Sequence, residues 1–179
     1  MLKITIPESE QWDEQKQEFV YTKECSISLE HSLISLHKWE AKWNKPFLGK
    51  DEKTDEELLD YIRCMTVSQS IDPNVYNALT KENLKDIFDY ISAPMTATTF
   101  RSNANNRNNK EILTAEIIYY WMVAFNIPFE CQKWHLNQLL TLIRVCNIKN
   151  QSNNKMSQKE ILKQNAELNA LRKKNMEQK

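Results

Sequence analysis

Ile117-Ile-Tyr-Tyr-Trp-Met-Val-Ala-Phe-Asn-Ile-Pro128 is apolar on nearly every face of a helical wheel until Asn126 and Pro128 interrupt it. A helix that is hydrophobic all round leaves no side for water, so other elements must wrap it. Taken back to about Glu111 and ended near Phe125, this helix is the expected middle of the core. Pro128 cannot continue it, and a second long helix is expected from about Glu130 to Asn147, with Trp134, Leu136, Leu139, Leu140, Ile143 and Cys146 on its inner face. The two should pack as a hairpin.

Upstream, the helix starts carry their own signals. Thr54-Asp-Glu-Glu57 has the form of a capping box, and its acidic first turn suits the helix dipole. The helix that follows should bury Leu58, Leu59, Ile62 and Met65. Asp72-Pro73 is a cap followed by proline at the first helical position and opens a short helix with Val75, Tyr76 and Leu79. Thr80 starts another, with Leu84, Ile87, Phe88 and Ile91 inward, and Ala93-Pro94 ends it. Nearer the front, Ser28 is read as the cap of a helix reaching about Asn44, in which Leu29, Leu33, Leu36, Trp39 or Glu40, and Trp43 recur at steps of three and four. Leu2, Ile4 and Ile6 alternate with polar residues, and Phe19-Val-Tyr-Thr22 follows, which predicts a small antiparallel hairpin as the only sheet.

Two stretches have no apolar period. Arg101 to Lys110 reads as a mobile surface loop, and Asn150 to Asn154 as a linker. Ser157-Gln-Lys-Glu160 is a second strong capping box, opening a final helix with sparse apolar positions, Ile161, Leu162, Leu168 and Leu171. The expected fold is mainly α: a helical bundle with a small N-terminal β-hairpin and an appended C-terminal helix. Residues 1–150 form the helical domain with its hairpin, and residues 151–179 a basic linker and C-terminal helix.

Composition excludes several classes of function. Gly49 is the single glycine among 179 residues, so a glycine-rich phosphate cradle is ruled out, because such loops need several residues at positive φ. The formal net charge is zero, which removes any global field toward nucleic acid or an anionic membrane. Charge is nevertheless uneven, with 8 basic against 14 acidic residues from Met1 to Asp60 and 7 basic against 3 acidic from Lys155 to Lys179. Cys25, Cys64, Cys131 and Cys146 lack the paired spacings of a zinc site, and reduced thiols in a cytosol are expected. The first residues carry no apolar run of a signal peptide, and no stretch approaches the length of a membrane helix.

Chemistry is sparse. Cys131 and His135 stand four apart on an expected helix, but two ligands do not make a metal site. The same pair, or Cys146 with His135, is the one thiol and base combination on offer, against the reading of cysteine as a small buried hydrophobe. The clusters Asp51-Glu52 and Asp55-Glu56-Glu57 are explained by a helix start. No enzyme activity, cofactor or metal is expected. Of the five tryptophans, Trp121 and Trp134 read as core. For Trp39 and Trp43, flanked by Lys38, Lys42 and Lys45, core and interface both stay open. With Ile161, Leu162, Leu168 and Leu171 they form the protein-binding candidates, since a helix with sparse apolar positions waits for a groove.

Ile117 to Asn150, followed by Lys155 to Leu162 and Asn165 to Arg172, together with Leu29 to Trp43 and Pro94 to Phe100, resembles a family of small proteins of long-tailed bacteriophages, the tail assembly chaperones. The resemblance implies a protein of the infected host cell cytoplasm that binds the phage tape measure protein, or another tail protein, and prevents its aggregation before the tail tube forms. It implies no catalytic residues. Some relatives end in a longer basic stretch with glycine, which this chain lacks. Self-association is left open, and no nucleic acid or membrane partner is expected. The alternative is a virion structural protein, a head, connector or tail component.

Overall fold

The computed structural model describes residues 1–13, 17–100 and 112–153. It divides into two compact units, Met1–Ile143 and the residues from Arg144 onward. The chain is mainly α-helical with a small antiparallel sheet.

Strand β1 (Leu2–Ile6) pairs with β4 (Cys25–Leu29), and β2 (Ser9–Asp13) with β3 (Glu18–Thr22). Ile6 faces Cys25 and Ser9 faces Thr22, so a single register runs through both pairs. They form one long hairpin interrupted where Pro7, which has no N–H to give a ladder, stands beside Glu8. Alternation places Ile4, Ile6, Ile27 and Leu29 on one buried face. The expected hairpin is therefore present but longer: β1 takes Cys25–Leu29 as its partner, not Phe19–Thr22. Ser28 accordingly lies in a strand and caps nothing. Its period-2 neighbours Ile27 and Leu29 are both buried, and a helical stripe would place them on different sides.

Helix α1 (Leu33–Trp43) begins instead at Ser32, whose hydroxyl accepts from the Ser35 N–H while Ser35 reaches back to the Ser32 N–H. It ends at Asn44, in the left-handed conformation at φ 53. Helix α2 (Asp55–Met65) has the expected capping box between Thr54 and Glu57. After it, the Glu30 N–H donates to the Met65 carbonyl and the Val67 N–H to the Ser28 carbonyl, closing the edge of β4. Asp72 caps a short 3-10 helix, Pro73–Ala78, and Thr80 caps α3 (Lys81–Ser92).

Helix α4 (Ala115–Ala124) packs on α1. It is less enclosed than expected: Ala115, Ile118 and Met122 are buried, while Tyr120 and Val123 face outward. The helix predicted from Glu130 is also different. Phe129–Lys133 is a short 3-10 helix, Trp134 is extended and 41 % exposed, and α5 runs from Leu136 to Asn153. The backbone at Ser32 and His135 forms a bridge, and the Leu136 N–H donates to the His31 carbonyl, which pulls residues 134 and 135 out of helical conformation. The expected loop Arg101–Lys110 and the final helix with Ile161, Leu162, Leu168 and Leu171 lie outside the described residues.

Trp39 sits in the middle of this unit with no exposed surface, in edge contact with Phe47 and donating its indole N–H to the Glu57 carbonyl. Trp39→Ala should cost about 3–5 kcal/mol by loss of a filled core position, and Thr54→Ala about 1 kcal/mol by loss of the cap. Urea unfolding of the two variants checks the ranking; equal small losses would contradict the buried position of Trp39.

Candidate functional site

Between α2, the 3-10 helix Pro73–Ala78 and α3 lies an apolar groove of about 490 Å³. Leu58, Leu59, Ile62, Leu79, Leu84 and Phe88 supply its apolar lining, and Asp55, Tyr76 and Asn77 line it as well. The local sequence explains why these side chains are available. On α2 the fully buried positions are Glu57, Asp60, Tyr61, Ile62 and Met65, so Leu58 and Leu59 turn sideways and are only half-buried. On α3 the buried positions are Ile87 and Tyr90, which leaves Leu84 half-buried and Phe88 43 % exposed. Two helices thus offer one another the flanks of their apolar stripes without closing the gap. The volume falls in the range of ordinary ligand grooves.

Charged groups hold α1 against α2. Lys42 and the Trp43 indole N–H both bind the Asp60 carboxylate, and Lys45 binds Glu57. Burial by itself would raise the Asp60 carboxyl, but the Lys42 ammonium and the Trp43 N–H hold it below the usual range. Glu57 is likewise held low, first by Lys45 and then by the Thr54 N–H. Glu40 is buried in α1 and accepts from the Phe47 N–H at 2.9 Å and the Ala115 N–H at 2.7 Å, fastening the start of α4. Burial raises its carboxyl above the usual value, with the two N–H donors acting against that rise.

A knot of buried polar rings lies on the far side of α2. The Tyr61 hydroxyl and His31 Nδ1 share a hydrogen bond of 2.7 Å, and the His31 and His135 rings meet edge to face at 5.1 Å. His135 Nε2 must carry a proton, because its partner at 3.0 Å is the Tyr90 carbonyl; its Nδ1 then accepts from the Asn137 N–H at 3.3 Å. The Tyr90 hydroxyl donates to Glu30, whose second oxygen meets the Met1 ammonium at 2.9 Å. Burial, then the neighbouring His135, lowers the His31 pKa from 6.5 to about 4. His135 is also lowered, chiefly by burial.

The chemistry of this knot is structural. Both His135 nitrogens are engaged, so neither is free to draw a proton from Cys131, and burial pushes the Cys131 thiol up. A second cleft of about 470 Å³ has Glu30, Ser35, Lys38 and Cys64 on its walls, and the Cys64 thiol is raised by burial as well. No group of three His, Cys, Asp or Glu side chains able to hold a metal exists among the described residues. No helix of the described residues is long and apolar enough to cross a membrane.

Of the residues singled out from the sequence as a docking surface, the two that are described, Trp39 and Trp43, do not form an exposed one. Trp39 and Trp43 do come together, with stacked rings 6.1 Å apart, but Trp39 is wholly enclosed and Trp43 is half-buried with its N–H on Asp60. Lys42 and Lys45, largely exposed themselves, tie this end of α1 to Asp60 and Glu57 of α2. Ile161, Leu162, Leu168 and Leu171 lie outside the described residues. Sequence reasoning missed the groove because it placed Leu58, Leu59, Leu84 and Phe88 inward. Their i, i+1 and i, i+4 spacings broaden each apolar stripe beyond what one neighbouring helix covers, and that was the available signal.

No family model, no curated protein and no solved structure matches the chain.

The depressed histidines make stability depend on pH. Above the ordinary value of 6.5 His31 is neutral folded or unfolded; as pH falls from there toward about 4, the unfolded chain takes up a proton that the folded chain refuses. Stability is therefore full above that window and is lost going down through it, by up to about 3 kcal/mol for His31, with Glu40 acting in the opposite sense near the acid end. Urea midpoints at pH 7 and pH 5 measure the loss. His31→Gln should flatten the dependence, and an unchanged slope in that variant would remove His31 from the account.

Proposed function

We propose that this protein is a bacteriophage tail assembly chaperone, which binds the tape measure protein in the host cell cytoplasm and prevents its aggregation before the tail tube assembles. The proposal takes its direction from the resemblance of residues 117–150 and their flanks to that family. The observation that carries it is the apolar groove between α2 and α3. Leucines and a phenylalanine half-open to water line a channel suited to the apolar face of one client helix, which would present anchors at i, i+3, i+4 and i+7. A chaperone that must release its client needs moderate affinity, and a groove lined mainly by apolar side chains, with Asp55 its one charged lining residue, suits that.

This reading includes the finer architecture expected from the sequence, a helical bundle with an appended C-terminal helix. It assigns Ile161, Leu162, Leu168 and Leu171 of that helix to a second contact with the client. Trp39 and Trp43 have no part in binding: they support the helices whose flanks form the groove.

Co-expression with the tape measure protein should keep that client in the soluble fraction, and the client alone should sediment. Phe88→Asp places a charge on an exposed groove wall, should change stability by less than about 1 kcal/mol, and should return the client to the pellet. A client equally soluble alone would remove the chaperone reading; a client still held by Phe88→Asp would remove the groove. Mass spectrometry of purified particles should find the chain absent, whereas many copies per particle would make it a structural component.

A further inference from the structure

The β2–β3 end of the hairpin is built inside out. Its register sets Trp12 opposite Phe19 and Glu10 opposite Tyr21, and directly paired residues project to the same side. One face therefore carries Glu10, Trp12, Phe19 and Tyr21, and its three aromatic side chains are 52 %, 65 % and 57 % exposed. The opposite face carries Val20, half-buried, and Thr22, buried. A ribbon selected only to fold would turn its aromatic rings inward and its small side chains out. The cross-strand aromatic pair lends this ribbon some stability, but that role is complete with Trp12 and Phe19 and does not require a third exposed ring at Tyr21.

Among the described residues, the side chains of this face contact one another and stay half-exposed or more. Trp12 and Phe19 meet edge to face with centroids 5.0 Å apart, and the Tyr21 hydroxyl donates to Glu8 at 2.6 Å. Three aromatic side chains exposed by half or more amount to roughly 300–400 Å² of apolar surface, the size at which a patch on a monomer marks an interaction site.

Charge identifies the occupant. Residues 8–24 hold six acidic side chains, Glu8, Glu10, Asp13, Glu14, Glu18 and Glu24, against Lys16 and Lys23, in a chain whose net charge is zero; Asp13 and Glu18 pair on the opposite face, so the charge at the rings is that of Glu8 and Glu10. Glu10 lies on the aromatic face itself and Glu8 is bonded to its edge. Aromatic rings bordered by carboxylates accept lysine and arginine, whose stems lie along the rings while the cationic heads meet ring faces and carboxylates. The same field repels nucleic acid and anionic lipid. It also opposes two copies meeting face to face, since each would bring the same excess of negative charge.

We propose that the outer face of the β2–β3 hairpin, centred on Trp12, Phe19 and Tyr21, binds a basic, apolar segment of a partner protein. This surface involves none of the residues lining the groove between α2 and α3, and it stands whether or not that groove holds a client.

The test titrates the full-length protein into a fluorescently labelled synthetic peptide of leucine and lysine at helical spacing, with two controls, the same pattern in leucine and glutamate and one in serine and lysine. The leucine and lysine peptide should bind saturably and more weakly as salt rises, and neither control should match it. Trp12→Ala with Phe19→Ala should weaken binding about tenfold or more. Glu10→Lys keeps the aromatic pair, so it separates loss of the surface from loss of the hairpin; it should weaken the lysine peptide and strengthen the glutamate one. Phe88→Asp removes any share of the groove in holding the leucine stripe, and in that background the leucine and lysine peptide should still bind saturably, with the same dependence on salt and on Glu10. Equal binding of the serine and lysine peptide, or of the glutamate peptide, would overturn the proposal. So would an affinity insensitive to Glu10→Lys, or one abolished by Phe88→Asp.

Discussion

The ring and carbonyl of His31 join parts of the chain that are far apart in sequence. The carbonyl accepts the N–H of Leu136 at the start of α5, and the ring meets the Tyr61 hydroxyl on α2 and the His135 ring, which is itself fastened to the end of α3 at Tyr90. Asn137 adds its side-chain amide to the carbonyls of Ile91 and Ala93, satisfying the last turn of α3. Buried polar groups are costly unless every lone pair and proton is used. Here the constraint works as a jig, because the arrangement is satisfied only when hairpin, α2, α3 and the first turn of α5 are all in place. The orientation of α2 and α3 that opens the groove follows from it.

Two surfaces with different physics remain on this frame. The groove is apolar along its walls and bounded by helices that are anchored on their other sides, so it offers shape and little charge. The hairpin face is aromatic and bordered by carboxylates, so it offers charge selection with less enclosure.

Local signals were legible wherever a decision is made within about four residues. The capping pair Thr54 with Glu57, the Thr80 start and the Asp72-Pro73 start place their helices as read, because the hydrogen bonds concerned lie inside the first turn. Alternation in Leu2–Ile6 identified a strand for the same reason. The partner of that strand was not legible. Cys25–Leu29 alternates as well, but Ser28 followed by leucines at helical spacing competes with that reading, and the choice is made by Ile27 and Leu29 finding the buried side of β1 and by Ser32 capping α1 four residues later. The break at Trp134 and His135 likewise has no local cause, being imposed by a hydrogen bond to His31 more than a hundred positions away.

The tryptophans mark the boundary most clearly. Sequence alone determined that the chain is mainly helical, where α2 and α3 begin, and that no glycine-rich cradle exists, since these depend on residue type and near neighbours. Tertiary structure alone decided that Trp39 is core, that Leu58, Leu59, Leu84 and Phe88 share a groove, and that Trp12, Phe19 and Tyr21 share an open face. Periodicity tells which residues lie together on one element, but whether that side is covered depends on register and on where distant helices are pinned, and the pinning is done by long-range bonds such as those of Glu40, Asp60 and His31.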